Sequence, residues 1–134
     1  MGSELDQNTF PHGQKPGSLE LAFVGDSVFE LFVRSRLTLE GGKVNALSRK
    51  AVARVNAGAQ ALSFGKIEPV LSDEERAIAR RAHNTKQTPP KNADPFAYET
   101  ATSLEAVLGY LYLTGQRERL NELLRLATEM EGEL

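Results

Sequence analysis

The chain has 134 residues and contains no cysteine, no tryptophan and no apolar run long enough to cross a bilayer. The lack of cysteine excludes disulfide bonds and thiolate metal sites, and it fits a reducing, cytoplasmic location. The longest apolar stretch, residues 21–33, is interrupted by Gly25, Asp26 and Glu30. The N-terminus lacks the basic start and apolar core of a signal peptide. We therefore expect a cytoplasmic protein with no membrane partner.

Alternation of apolar and polar residues, the mark of a half-buried strand, is also missing, whereas apolar residues recur at helical spacing. The sequence thus predicts an all-α fold with five to seven helices. Ser18 is a candidate N-cap, Ser72 and Glu75 form a capping-box pattern, and Asp94 before Pro95 marks another helix start. We expect a flexible tail over residues 1–17 and one domain over 18–134, with helices at 18–39, 43–64, 72–83, 95–114 and 116–131.

The charges are distributed unevenly, although the net charge is only −2. Residues 34–91 contain 12 Lys or Arg against 5 Asp or Glu, a balance of +7, and the remainder contains 4 against 13, a balance of −9. This asymmetry favours a polyanionic partner for the middle of the chain. The alternative is that the basic residues simply line exposed helix faces.

Two carboxylates lie in segments that are otherwise almost wholly apolar. Asp26 follows Gly25 in the first predicted helix, and Glu105 precedes Gly109 by one turn in the fourth. Glycines in buried helices indicate close backbone approach, so we expect these helices to pack together and the carboxylates to meet. Such a pair needs a shared proton or a divalent cation, for which Mg²⁺ is suited. The alternative is that a Lys, an Arg or a backbone amide holds each carboxylate.

The same segments resemble known sequence motifs. The segment LAFVGDSVFEL (residues 21–31) resembles the signature of the ribonuclease III family, and LEAVLGYLYL (104–113) resembles its second motif. KVNALSRKAVARVNAGAQA (43–61) and PKNAD (90–94) resemble the Mini-ribonuclease III branch, which has a catalytic domain and no double-stranded-RNA-binding domain. The likeness covers residues 18–124. It implies a ribonuclease III catalytic-domain-like helical bundle and a homodimer that cleaves double-stranded RNA with Mg²⁺, giving 5′-phosphate and 3′-hydroxyl ends.

The resemblance also implies roles for particular residues. Asp26 and Glu105 match catalytic carboxylates that bind Mg²⁺, and Glu30 is an outer-shell candidate whose alternative role is an ion pair with an arginine. Many family members have further acids where this chain has Ala22 and Thr102. The short branch shares these departures. They leave open whether one or two metal ions bind.

A-form RNA is recognised through its shape, phosphates and 2′-hydroxyls, so its binding surface should be basic and polar. The candidates for RNA contact lie on the second predicted helix and around the proline-containing loop: Arg49, Lys50, Arg54, Arg80, Arg81, His83, Asn84, Lys86, Lys91 and Asn92. The alternative for the loop is an ordinary solvated surface. The resemblance implies maturation of 23S ribosomal RNA, with a ribosomal protein on the substrate as a further partner. The rival hypothesis is a non-catalytic helical dimer that binds structured RNA or ribosome precursors.

Overall fold

The computed structural model describes residues 15–129, which form six α-helices and no strand. A short 3₁₀ turn, Glu68–Val70, joins the third helix to the fourth. The prediction of an all-α fold is confirmed. Most of the predicted tail, and the predicted end of the last helix at residue 131, lie outside the described residues. The helices are α1 (Ser18–Glu40), α2 (Val44–Val55), α3 (Ala57–Ile67), α4 (Asp73–Asn84), α5 (Pro95–Leu113) and α6 (Arg117–Thr128).

Helix α5 is the centre of the domain, and α1, α3 and α4 all pack extensively against it. Its residues Leu104, Val107, Leu108 and Leu111 are completely buried. A helix that is apolar on nearly every side is stable in water only when other helices surround it. Even so, no helix within residues 15–129 is both long and apolar enough to span a membrane.

Two of the three predicted helix starts are confirmed. The Ser72 hydroxyl accepts a hydrogen bond from the Glu75 amide (3.1 Å), and the Glu75 carboxylate accepts one from the Ser72 amide (2.8 Å). Asp94 caps α5 by accepting a hydrogen bond from the amide of Phe96 (3.1 Å). The prediction for Ser18 is wrong, because Ser18 is already the first helical residue and Gly17 is the cap.

The single helix predicted over residues 43–64 is also wrong, since the chain breaks at Asn56 into α2 and α3. The backbone of Asn56 is extended, with φ −70° and ψ 162°. Its side-chain oxygen accepts a hydrogen bond from the Ala59 amide (2.9 Å), and its side-chain nitrogen donates to the carbonyls of Val52 (3.2 Å) and Ala53 (3.1 Å). One side chain therefore satisfies the end of α2 and the start of α3 together. The apolar period continues across the break and hides it from sequence patterns.

Close contact between α1 and α5 depends on two glycines. A Cβ atom built at Gly25 would lie 1.7 Å from the carbonyl oxygen of Glu105, and one at Gly109 would lie 1.9 Å from the carbonyl oxygen of Leu21. Real Cβ atoms do not come this close to backbone, so only glycine permits the contact. The predicted packing of the two glycine-bearing helices is confirmed.

Candidate active site

The side chains of Asp26 and Glu105 meet where α1 crosses α5, as the sequence predicted. Asp26 is exposed and Glu105 is half-buried. Burial of Glu105, together with a hydrogen bond to Asp26 and the negative charge of that group, raises the pKa of Glu105 to about 8. Because two adjacent carboxylates repel each other, the pair retains one proton at neutral pH unless a cation takes its place.

An open pocket of about 400 Å³ surrounds the pair. Four helices and the loop between α4 and α5 contribute its lining, so residues distant in sequence converge on the carboxylates. The lining residues are Leu19, Ala22, Phe23, Asp26, Val55, Ala57, Gln60, Gln87, Tyr98, Ala101, Thr102 and Glu105.

Positions 22 and 102, where many ribonuclease III family members have acids, both line this pocket and are buried. The Thr102 hydroxyl donates to the carbonyl of Tyr98 (2.9 Å) and accepts a hydrogen bond from the side-chain amide of Gln87 (3.1 Å). This bond fastens the loop after α4 to the pocket. Within residues 15–129 no cluster of three or more acidic or histidine side chains could hold a metal ion. The carboxylate pair is therefore what the described residues offer.

The donor set fits a hard divalent cation. Mg²⁺ is usually bound by one or two carboxylates and keeps several of its own waters, so this donor set is of the kind that Mg²⁺ takes. Asp26 and Glu105 are the residues that would hold the ion, and their shared proton is the group that the ion would replace.

Gln60 is a pocket residue that the sequence analysis missed. Its side chain is only 3% exposed, and its Nε2 atom has no hydrogen-bond partner of ordinary geometry among the described residues. The amide nevertheless lies near enough to Glu105 to lower the pKa of that carboxyl group, against the larger effects of burial and Asp26. Asparagine is a common N-cap residue, and Asn56 was the one sequence signal for a helix start that would have placed Gln60 on a separate helix.

Glu30 does not line the pocket and instead forms an ion pair with Arg34 one turn later, with 3.4 Å between carboxylate oxygen and guanidinium nitrogen. The arrangement is the alternative interpretation that the sequence left open. An outer-shell role for Glu30 stays a prediction without support from its contacts.

Most of the predicted RNA contacts are on the surface. Arg49 and Lys50 are exposed on α2. Of the candidates on α4 and in the following loop, these are exposed: Arg80, Arg81, Asn84, Lys86, Lys91 and Asn92. Since Gln87 belongs to the same loop as Lys86 and Lys91, these two lysines lie on the segment that is hydrogen-bonded to the carboxylate pocket.

Two of the predicted RNA contacts are placed differently. His83 is half-buried, and its ring packs edge-on against Phe96 with 5.5 Å between ring centroids. Arg54 lines a separate cavity together with Lys66 and Thr128, which are residues of α3 and α6. The structure therefore does not bring Arg54 to the carboxylate pocket.

The sequence model of the ribonuclease III domain family matches residues 19–116, a range that contains both carboxylates and the whole pocket. The chain therefore belongs to the ribonuclease III family.

Within that family, its curated relatives are Mini-ribonuclease 3 proteins. One from Symbiobacterium thermophilum is 46% identical over 114 residues, which cover 83% of this chain and 87% of the relative. Another, from a Synechocystis species, is 38% identical over 124 residues, which cover 92% of this chain and 86% of the relative. A crystal structure of a protein from Fusobacterium nucleatum has a TM-score of 0.78 and 34% identity, covering 84% of this chain and 93% of that one. The Mini-ribonuclease 3 branch is thus the part of the family that this chain represents.

Proposed function

We propose that this chain cleaves double-stranded RNA with Mg²⁺ as cofactor, and that its biological substrate is a precursor of 23S ribosomal RNA. Its class, an endoribonuclease, follows from its family. The metal, the duplex substrate and the ribosomal role are the proposed part. The observation that carries the proposal is the contact between the carboxyl groups of Asp26 and Glu105 in an open pocket.

Asp26 and Glu105 would both bind the ion. Asp26 is exposed and reaches the side of the pocket from which an RNA backbone would approach, whereas Glu105 is held deeper by α5. To bind the ion, Glu105 would have to lose its proton to solvent. When bound, Mg²⁺ supplies a more acidic water as nucleophile and offsets charge on the phosphodiester. The products of such a hydrolysis are a 5′-phosphate and a 3′-hydroxyl.

The basic surface near the pocket supports the choice of duplex RNA. Lys86 and Lys91 project from a loop whose Gln87 is hydrogen-bonded to the pocket residue Thr102. Phosphates lining a groove of A-form RNA would therefore meet positive charge while one phosphodiester approaches the carboxylates.

A homodimer is the assembly that we propose. Phe23 is 81% exposed and Leu19 is 38% exposed, and both line the carboxylate pocket. Large apolar side chains exposed beside a polar site are typical of an interface, and a two-fold symmetric pair would provide one pocket for each RNA strand.

The dimer is tested by sedimentation of Phe23→Ser beside Leu39→Ser. Leu39 is 87% exposed on the same helix, about 24 Å from Phe23 along its axis. We expect Phe23→Ser to shift the protein towards monomer and Leu39→Ser to leave the distribution unchanged. A monomeric wild type would contradict the proposed dimer.

Cleavage is tested with duplex RNAs of defined sequence, with Mg²⁺ or with EDTA, and with both ends of each product mapped. We expect Asp26→Asn and Glu105→Gln each to slow cleavage at least about a hundredfold, because a metal ion contributes several kcal/mol to such a reaction. Glu99→Gln, on α5 but outside the pocket lining, is the matched control. Equal rates for Asp26→Asn and wild type would overturn the catalytic assignment. Salt-sensitive duplex binding without any cleavage would favour the rival RNA-binding protein.

The ribosomal role requires its own comparison. A duplex stem from a 23S precursor should be cut at one position and faster than an unrelated duplex of equal length. Adding large-subunit ribosomal proteins to the precursor tests whether one of them marks the substrate. Equal rates on both duplexes, with and without these proteins, would contradict a dedicated role in 23S maturation.

A further inference from the structure

Gln60 is the most deeply buried polar side chain of the carboxylate pocket, with an exposed fraction of 3%. Its Nε2 atom is buried and makes no hydrogen bond of ordinary geometry with the described residues. Buried amide groups in folded proteins almost always have a partner. An unpaired buried amide that lines a pocket therefore indicates that this amide has a function in the pocket.

The neighbours of Gln60 narrow the choice of partner. The carboxyl groups in the pocket are those of Asp26 on α1 and Glu105 on α5. Gln87, the other amide in the lining, is already hydrogen-bonded to Thr102. Helix α3, which carries Gln60, packs extensively against α5, which carries Glu105, and Glu105 is half-buried whereas Asp26 is exposed. Glu105 is thus the carboxyl group of the pocket that lies at the depth of the buried Gln60 amide.

We propose that Gln60 is a positioning residue of this site: its amide N–H donates to the Glu105 carboxylate and fixes the orientation in which Glu105 and Asp26 bind one cation. The inference rests on the proposed function. Metal-binding carboxylates are usually held by hydrogen bonds from neighbouring groups. An amide does this without adding charge, whereas an acid at position 60 would add a third negative charge and a lysine would compete with the cation.

The test measures binding of Mn²⁺, by electron paramagnetic resonance, to the full chain and to Gln60→Met and Gln60→Leu. Both variants fill the space of the side chain and remove the N–H donor. We expect Mn²⁺ to bind each about tenfold more weakly, as is typical when a group that orients a metal ligand is removed. The thermal midpoint without metal should not fall, since an unpaired buried polar atom is lost.

Gln116→Met is the matched control, because Gln116 lies between α5 and α6 and donates to Thr114 (2.8 Å), away from the pocket. It should bind Mn²⁺ as wild type does. Unchanged Mn²⁺ affinity in both Gln60 variants would overturn the inference, whether or not their thermal midpoints fall. Loss of cooperative unfolding in both would also overturn it, because the amide would then serve the fold.

Asp26→Asn separates this inference from the proposed function. If wild type binds Mn²⁺ and Asp26→Asn does not, unchanged binding in the Gln60 variants overturns the role of Gln60 alone. If wild type shows no Mn²⁺ binding that depends on Asp26, both the metal site and the role of Gln60 are overturned.

Discussion

Gly25 lies so close to Glu105 that a Cβ atom at Gly25 would come within 1.7 Å of the Glu105 carbonyl oxygen. The contact joins the backbones of α1 and α5 at the level where Asp26 and Glu105 project into the pocket. The absence of a side chain at one residue therefore sets the distance between two carboxylates. The stability of the fold and the geometry of the carboxylate pocket therefore depend on the same backbone contact.

Replacing Gly25 or Gly109 by alanine should destabilise the protein. Each new methyl group would overlap backbone atoms, so we expect the free energy of unfolding to fall by about 3 kcal/mol, the upper end for an overpacked core. Gly65→Ala is the control, because Gly65 is helical and a Cβ there would meet nothing within 4 Å. That variant should gain about 0.5–1 kcal/mol from helix propensity. Urea unfolding measures all three, and equal stability of Gly25→Ala and Gly65→Ala would contradict the close contact.

In EDTA, stability should decrease as the pH rises from about 5 to about 8. The pKa of Glu105 is raised from 4.5 to about 8 by burial and by Asp26, so in this range the folded state keeps a proton that the unfolded state loses. Stability falls with pH wherever the folded state binds more protons, by about 1.4 kcal/mol for each unit of pKa difference.

Glu105→Gln removes this titration and is the control for the pH effect. The variant should match wild type near pH 5 and exceed its free energy of unfolding near pH 8, as measured by urea titrations at each pH. Mg²⁺ should restore stability to wild type at pH 8 and do little for the variant. Parallel pH profiles for the two proteins would show that Glu105 is not the group responsible.

The ion pair between the buried Glu75 of α4 and the half-buried Arg119 of α6 should be important for stability. The guanidinium of Arg119 donates to both carboxylate oxygens of Glu75 (2.8 and 2.9 Å) and to the carbonyl of Val70 (2.7 Å). Arg119→Met would leave the Glu75 carboxylate buried without its cation, so we expect a loss of about 3 kcal/mol. Arg125→Met, exposed on the same helix, should change the free energy of unfolding by less than about 0.5 kcal/mol.

The same ion pair predicts a dependence on acid. Burial alone would raise the pKa of Glu75, but the hydrogen bonds from Arg119 and Ser72 outweigh it and lower this pKa below 4.5. A lowered pKa contributes stability above the unfolded value and loses it as the pH falls through the folded value. The difference between wild type and Arg119→Met should therefore shrink below about pH 4.5. A constant difference from pH 7 to pH 3 would mean that the loss comes from packing instead.

Neutralising the loop after α4 should weaken RNA binding in proportion to the phosphates contacted. For Lys86→Gln with Lys91→Gln, we expect the slope of log affinity against log salt to decrease by about 1 for each lost contact. The measurement uses a duplex and the Asp26→Asn background, which prevents cleavage. Arg125→Gln on α6 is the matched control, and an unchanged slope in the double variant would remove this loop from the RNA surface.

Several features were correctly predicted because they depend on local chemistry. The capping box at Ser72 and the cap at Asp94 are formed by residues at most three positions apart, so sequence spacing determines them. The meeting of Asp26 and Glu105 is a long-range contact, but each acid carries a marker, since a glycine lies beside it in an apolar helix. The resemblance to the ribonuclease III family supported the pairing of these two segments.

The undivided second helix and the missed Gln60 have one physical origin. Asn56 ends one helix and begins the next through side-chain hydrogen bonds that no apolar pattern reports, so the sequence pattern missed both the break and the place of Gln60 on a separate helix. For Glu30 the sequence supported an outer-shell role and an ion pair equally, and the structure shows the ion pair with Arg34.

The amino-acid sequence alone determined that the chain is helical, where most helices begin, and which two acids meet, because propensity, capping and glycine contacts are properties of residue type and spacing. Tertiary structure decided which further side chains reach those acids. The apolar pattern does not show the helix break at Asn56, and only the packed positions of α1, α3 and α5 show which buried amide lines the pocket of the two carboxylates.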